Sequence, residues 1–350
     1  MAFHPILRPA AALVLLLTLA QTALAQQAPP GADYLPGQGL AVGNTGVSVG
    51  GYATAQWQNL EREDSAVSLS HMSLFVWSEL GNHAKFLAEL DNQENHLGHH
   101  EREREGGRFL SVERLYLDYS FSDRLTVRAG KFLTPIGRWN QLHADPLVWT
   151  TSRPLLTHDL FPDNVTGVMA MGNATVAGQA LDYMVYHSVG GEVRPDPAQD
   201  PFDDAYGARV VLPLSDSVQL GVSAARYDQV APAHGLAVGE VKRLVGLDFL
   251  WAARGYELSS ELLYRRSSQG PAQTARGAFV QAAVPLDRGL SAVARIELIR
   301  NPQLPQQQRR AVLGLNYRVN SALSLKVESL HDFNHDGSAS GVLASLSVLF

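Results

Sequence analysis

The chain has 350 residues, with 28 Lys and Arg against 34 Asp and Glu, a formal net charge of -6 and no cysteine. The mildly negative charge argues against a nucleic-acid partner, and the absence of cysteine excludes a small scaffold held by disulfides. After the N-terminal segment, no apolar run approaches the ~18 residues that a membrane-spanning helix needs.

The N-terminus has the pattern of a secretory signal. A short segment carrying Arg8 precedes the apolar run 10–20, and Ala23-Leu24-Ala25 fits the small-residue cleavage pattern. We expect residues 1–25 to be removed; a retained N-terminal anchor is the alternative. Residues 26–44, rich in Pro, Gly and Gln, are predicted to form a flexible periplasmic leader.

From residue 45 onward, apolar and polar residues alternate with a period of two in sixteen candidate segments. The run Val245, Leu247, Phe249 and Trp251 is a clear example, and polar or small residues separate its members. Such alternation places apolar side chains on one face of a strand and polar side chains on the other. A membrane barrel with a wet interior requires this pattern. We therefore predict one all-β unit over 45–350, a transmembrane antiparallel β-barrel of about 16 strands, within a range of roughly 14 to 18.

The C-terminal segment 341–350 supports a membrane barrel most directly. Its alternating apolar residues end on the aromatic Phe350, and about ten residues at ~45° tilt are enough to cross a bilayer. A terminal Phe on the apolar face also resembles the closing strand of bacterial outer-membrane barrels. The sequence therefore predicts a location in the bacterial outer membrane, with lipid as a partner.

The connections between the predicted strands alternate in length. Tight turns such as Gly81-Asn82-His83, Phe121-Ser122-Asp123 and Arg254-Gly255 alternate with longer polar loops. Outer-membrane barrels have short periplasmic turns and long extracellular loops, whereas a soluble β-sandwich has no reason to keep this phase. Outward aromatic residues at the short-turn ends would form a periplasmic girdle, although ordinary β-propensity also explains them. These are Tyr119, Phe121, Trp251, Tyr317 and Phe350.

The longest connection is the third long loop, residues 134–163, called L3 below. It contains four prolines together with Trp139 and Trp149, and long ordered loops in compact folds are usually functional. The stretch 130–140, which leads into L3, resembles the GxFxTPFG signature of the phosphate-selective porin O/P-like superfamily and differs from it at Ile136. The resemblance implies an outer-membrane porin whose third loop folds into the lumen, assembled as a homotrimer.

Charged residues on the polar face of the strands are candidates for setting ion selectivity, because rings of charge govern permeation through pores. The predicted inward bases and acids nearly balance, so anion and cation preference both stay open. Pairing between neighbouring strands is an alternative role for each of these residues. The residues that we expect to set selectivity are Arg128, Lys131, Arg138, Asp145 and Arg153 in or near L3, and Arg114, Arg295 and Arg318 elsewhere.

Two stretches could bind metal. Asp332, Asn334 and Asp336 match the beginning of an EF-type calcium loop, but the twelfth position is Leu343 rather than Glu, and hairpin turn chemistry explains the same residues. His96, His99 and His100 could hold a transition metal, although a solvated loop has the same composition. No other cofactor is expected. A GxSxG match at 46–50 lacks the helix that a nucleophile elbow requires.

The sequence thus favours an outer-membrane porin that passes small hydrophilic or anionic solutes by passive diffusion and performs no chemistry. Two alternatives stay open. One is a barrel enzyme of lipase or protease type, and the other is a closed barrel that serves as an adhesin or structural anchor.

Overall fold

The computed structural model describes residues 34–35, 39–61, 63–96, 109–142, 144–195, 200–231, 236–237, 240–268, 274–302, 307–334 and 340–350. These residues form a closed antiparallel β-barrel of 16 long strands, which confirms the predicted fold class. No helix in these ranges is long and apolar enough to span a membrane.

The strands follow one another around the barrel in chain order. They are β1 (Val47–Leu60), β2 (Ala66–Leu80), β3 (Ala84–His96), β4 (Phe109–Ser122), β5 (Leu125–Leu133), β6 (Asn164–Val176), β7 (Gln179–Ser188), β8 (Phe202–Ser215), β9 (Val218–Ala231), β10 (Lys242–Ala253), β11 (Tyr256–Ser267), β12 (Thr274–Asp287), β13 (Leu290–Arg300), β14 (Gln308–Arg318), β15 (Leu323–Asp332) and β16 (Gly341–Leu349). The barrel closes where β16 pairs with β1, from Gly341 opposite Leu60 to Leu349 opposite Tyr52.

The alternation of the sequence becomes the two faces of the barrel wall. On β10, Val245 and Leu247 are exposed on the outer surface, whereas Leu244 before them and Asp248 after them are buried inside. An apolar outer surface suits lipid, and a buried charge inside requires polar partners. The period of two therefore predicts which face each strand residue occupies.

Short turns connect the strands on one side of the barrel. Ala177-Gly178 and Arg254-Gly255 have positive φ at both positions, with values of 51°, 81°, 52° and 86°. This is the geometry of a type I′ turn, whose twist matches that of a hairpin. The turn that was expected at 121–123 lies two residues later, because β4 continues to Ser122 across an irregularity in its pairing with β5.

Four segments predicted from sequence fall wholly or partly outside the described residues. The predicted signal at 1–25 lies outside them, as do His99, His100 and Asp336. Part of the predicted leader is described: Tyr34–Leu35 pairs with Gly39–Ala41, and the latter pairs with the beginning of β1. This part of the leader is therefore a short hairpin, which its composition did not predict.

L3 connects β5 to β6 and contains two short helical pieces, a 3-10 turn at Trp139–Gln141 and α1 (Leu156–Asp159). Its two ends are held together at the barrel wall. The backbone nitrogen of Thr134 lies 2.8 Å from the carbonyl oxygen of Asp163, and the amide of Asn140 donates to the carbonyls of both residues. L3 therefore leaves the wall and returns to it at one point.

Candidate pore and its constriction loop

L3 crosses the inside of the barrel and binds the opposite wall. Three inward carboxylates on different strands accept backbone N–H groups of L3. Glu261 on β11 accepts from Arg138 and Trp139, and Glu297 on β13 accepts from Leu155 at 2.7 Å. A loop that starts on β5 can reach these side chains only through the lumen.

The third carboxylate, Glu328 on β15, binds the middle of L3. Its two oxygens accept the N–H groups of Thr151 and Ser152 at 2.9 and 2.7 Å. Hydrogen bonds to a charged group are stronger than those between neutral groups. Together, the three carboxylates fix L3 at the points where it faces β11, β13 and β15.

Inward basic side chains bind the carbonyl and hydroxyl groups of the same loop. Arg295 on β13 donates to the Oγ and carbonyl oxygen of Ser152 at 2.7 and 3.1 Å. Lys326 on β15 donates to the carbonyls of Asp145 and Thr150. Arg295 and Lys326 are 1% and 5% exposed, so their charges are used to hold the loop.

Apolar packing completes the attachment of L3 on one side of the lumen. Leu156, Leu160 and Phe161 of L3 belong to a buried cluster with inward residues of β5 to β13. On the wall these residues include Phe132, Val165, Met169, Tyr186, Tyr227, Leu244, Leu263, Phe279 and Ile299. Because burial of each large apolar side chain contributes roughly 1.5–3 kcal/mol, this cluster holds L3 against that side.

The inner faces of β1–β4 and of β14–β15 are more polar. Inward residues there include Thr54, Ser73, Glu89, Asp91 and Arg114, and, on the second arc, Asn316, Arg318, Lys326 and Glu328. L3 covers the apolar side and also contacts Asn316, Lys326 and Glu328 on β14 and β15. The candidate pathway for solutes therefore lies beside the polar inner faces of β1–β4.

Four of the predicted selectivity residues are arginines whose guanidinium groups lie over aromatic rings. Arg128 lies 3.6 Å from the ring centre of Tyr116, and Arg153 lies 4.7 Å from that of Trp139. Arg318 and Arg114 lie 4.6 and 5.5 Å from the rings of Trp149 and Phe75. Cation–π contact restricts each guanidinium to a fixed orientation.

Three of these arginines also have carboxylate partners. Arg128 binds both oxygens of Asp118 at 2.7 and 2.8 Å. Arg153 forms an ion pair with Asp163 at 2.9 Å, and Arg114 forms one with Glu89. The pairs of Arg128 and Arg114 brace neighbouring strands of the wall, as the alternative interpretation of the sequence expected. The Arg153–Asp163 pair instead joins two parts of L3.

Arg138 and Asp145 lie in L3 with charges that are less engaged. The backbone nitrogen of Arg138 donates to Glu261, and its half-buried guanidinium forms no ion pair with any of the described residues. The Asp145 carboxylate is also half-buried and interacts electrostatically with Tyr52 and His71 on the opposite, polar side. L3 therefore presents one positive and one negative group to the candidate pathway.

Around L3, the charges that remain accessible inside the barrel are mostly positive. Glu261, Glu297 and Glu328 are 4%, 2% and 3% exposed because L3 covers them. In three of the ion pairs the arginine is more accessible than the acid: Arg153 and Asp163 are 33% and 8% exposed, Arg114 and Glu89 are 24% and 2%, and Arg128 and Asp118 are 18% and 13%. Arg138, Arg318, Arg114 and Arg128 are also partly or fully accessible. The near balance of charge in the sequence thus becomes an imbalance in accessible charge.

Lys131 differs from the expectation that it faces the pore. It lies opposite Leu115 and Thr166, on the outer face of the wall. The fourth long loop, residues 189–201 and called L4 below, covers it: Nζ of Lys131 lies 2.6 Å from the carboxylate of Glu192, and the N–H of Val193 donates to Thr166. Lys131 therefore attaches L4 to the outside of the barrel.

The calcium hypothesis is only partly addressed, because Asp336 lies outside the described residues. Within them, Oδ1 of Asp332 accepts the N–H of Asn334 at 2.9 Å, which is the hydrogen bond of an Asx turn. No group of three or more His, Asp or Glu that could hold a metal occurs in the described part of the chain. Calcium binding at Asp332 stays a prediction.

Comparison with known proteins identifies the fold. No protein-family model matches the chain. An uncharacterized protein of Aquifex aeolicus (strain VF5) is 34% identical over 119 residues, which cover 33% of this chain and 26% of that protein. The chain therefore matches only about a quarter of the length of that relative.

Solved structures match over most of the chain. The anion-selective porin of Comamonas acidovorans is 14% identical, covers 87% of this chain and 98% of its own, and has a TM-score of 0.59. OmpF of Salmonella typhi, in complex with daunomycin, is 11% identical, covers 88% of this chain and 99% of its own, and has a TM-score of 0.60. A loop-deletion mutant of OmpT, an outer membrane protein of Vibrio cholerae, is 9% identical, covers 87% of this chain and 99% of its own, and has a TM-score of 0.61. OmpT is also solved in a trimer form. The chain thus has the fold of bacterial outer-membrane porins, which supports the predicted location in the outer membrane.

Proposed function

We propose that the protein is an outer-membrane porin that lets small hydrophilic solutes diffuse passively, with a preference for anions. The pathway runs along the polar side of the lumen, between L3 and the inner faces of β1–β4. In this proposal the barrel performs no chemistry, and its selectivity comes from pore width and the field of lumen charges.

The imbalance in accessible charge carries the proposal. Burial under L3 removes Glu261, Glu297 and Glu328 from contact with solutes, whereas Arg138, Arg153 and other guanidinium groups keep part of their surface accessible. Unscreened positive charge within a few ångströms of a narrow path lowers the energy of an anion there and raises that of a cation. The anion-selective porin among the structural matches agrees with this assignment.

Single-channel recording in planar bilayers tests the proposal. We expect stepwise currents and, in a KCl gradient, a reversal potential of the sign that chloride selectivity requires. A cation-selective reversal potential would contradict the anion preference, and a silent barrel would contradict the porin assignment and favour an adhesin or anchor. Hydrolysis of lipid or peptide by the detergent-solubilised protein would instead favour the enzyme alternative.

A homotrimer is part of the proposal. It rests on the resemblance at 130–140 and on the trimer form of one structural match. Analytical ultracentrifugation in detergent measures the mass of the assembly, and a monomer mass would remove this part without affecting the pore.

A further inference from the structure

An arc of arginines lies on the outer surface of the barrel, in the halves of β9 to β14 that join the long loops. Its six members, one from each strand, are Arg226, Arg243, Arg266, Arg276, Arg300 and Arg309, called the arginine arc below. All share the outward parity of exposed neighbours such as Val245 and Leu298. Five are exposed and Arg226 is half-buried.

The strand register brings these like charges together. Arg226 lies opposite Arg243, and Arg243 lies opposite Arg266 on its other side. Arg276 lies opposite Arg300 in the same way. Like charges directly opposite one another in an antiparallel pair are destabilising. The arrangement is therefore unfavourable unless an anion lies against it.

The chain supplies little counter-charge there. In the halves of β11 to β14 that join the long loops, the outward positions contain no Asp or Glu, because Glu261 and Glu297 have inward parity. The connections 268–273 and 301–307 contain no acidic residue. Among the described residues, no member of the arginine arc takes part in an ion pair.

The need of a charged side chain to reach water does not explain why the outward arginines lie only at the long-loop ends of these strands. Long basic side chains near a membrane surface can reach water at either leaflet. At the short-turn ends of the same strands, however, the outward positions are apolar or aromatic, among them Val218, Trp251, Tyr256, Leu290 and Tyr317. The arginine arc therefore corresponds to a chemical feature of the outer leaflet alone.

We propose that the arginine arc is a docking surface for the phosphate groups of anionic lipid in the outer leaflet. The planar guanidinium group binds phosphate through paired hydrogen bonds. Because neighbouring strands lie ~4.8 Å apart, the four arginines of β11 to β14 span roughly 15 Å, enough to contact a headgroup with two phosphates. The site is outside the barrel and does not depend on conduction.

Titration of the purified full-length barrel in neutral detergent with diphosphorylated lipid A tests the proposal, with phosphatidylcholine as the neutral reference. The double variant Arg276→Gln/Arg300→Gln should bind lipid A on the order of 25-fold more weakly, from about fivefold per arginine near an anionic surface. The matched control, Arg254→Gln/Arg288→Gln, removes two exposed arginines from short turns and should bind like the parent.

Equal affinity of the double variant and the parent would overturn the proposal, as would an equal loss in the control. Arg276→Lys/Arg300→Lys keeps the charge but loses the paired hydrogen-bond geometry. Its affinity for lipid A should lie between that of the parent and that of Arg276→Gln/Arg300→Gln. For the unmodified protein, affinity should decrease as salt is raised and when monophosphorylated lipid A replaces the diphosphorylated form. Binding that is insensitive to both changes would overturn the proposal without any variant.

Discussion

Glu328 and Ser152 are 176 positions apart in the chain, yet the carboxylate oxygen of Glu328 lies 2.7 Å from the backbone nitrogen of Ser152. The second oxygen binds the adjacent N–H of Thr151. This contact couples the conformation of L3 to the wall of the barrel. A lumen carboxylate thereby fixes the position of the loop that crosses the barrel.

Glu328→Gln tests this coupling. An amide offers one acceptor oxygen and directs an NH₂ group at the other backbone N–H, so we expect the free energy of unfolding to fall by about 2 kcal/mol. The freed middle of L3 should also increase the fluctuations of the single-channel current. Glu257→Gln is the control, because Glu257 is an inward carboxylate that makes no hydrogen bond or ion pair with the described residues. Equal effects of both substitutions would contradict the assignment.

Gly137→Ala addresses the first attachment of L3. Gly137 has φ of 66°, and an added Cβ would overlap the carboxylate of Glu261. Gly178→Ala has a similar backbone cost at φ 81°, but no atom lies within 4 Å of its added Cβ. We expect Gly178→Ala to cost about 1 kcal/mol and Gly137→Ala to cost clearly more and change the conductance. Denaturant titration of both variants measures the difference.

The sequence predicted the strands well because the alternation is a local property. Val245, Leu247 and Trp251 occupy the outer face as expected, and Arg254-Gly255 forms the expected tight turn. The attachment of L3 could not be predicted in the same way. The period of two places Glu261 inside the barrel, but its partners are backbone groups more than 120 positions away, which no local pattern specifies.

The outward position of Lys131 could have been predicted. The outward positions Leu125, Val127 and Ala129 continue at the same parity to Lys131. What the sequence could not provide was the cover by L4. A lysine on an apolar wall is stabilised here because Glu192 and the carbonyl groups of Val193 and Arg194 lie against its ammonium group.

The Lys131–Glu192 pair leads to a prediction about stability. Both side chains are nearly inaccessible, at 2% and 7%, so Glu192→Gln should leave a buried, unpaired charge and cost about 3 kcal/mol. The double variant Lys131→Met/Glu192→Gln should recover much of this loss, because no unpaired charge remains. A double-mutant cycle on the free energy of unfolding gives the coupling. Additive effects of the two changes would contradict the pair.

The positions of Arg138 and Lys131 predict different effects of their substitution on the anion-to-cation permeability ratio. Arg138→Gln removes an accessible charge from the pathway and should reduce the anion-to-cation permeability ratio by up to about fivefold, the effect of roughly 1 kcal/mol from a charge at ~4 Å in water. Lys131→Gln removes the same charge from the outer face and should leave the ratio unchanged. Reversal potentials in a salt gradient compare the two. A larger effect of Lys131→Gln would contradict the placement of both residues.

The central claim is that accessible guanidinium groups on L3 set the preference of the pore, and the absence of cysteine allows a direct test. In Arg138→Cys, the single thiol can be modified during recording with a positively or a negatively charged methanethiosulfonate reagent. We predict that the variant has a reduced anion preference, that the positive reagent restores it, and that the negative reagent reduces it further. A reversal potential that neither reagent changes would contradict the account.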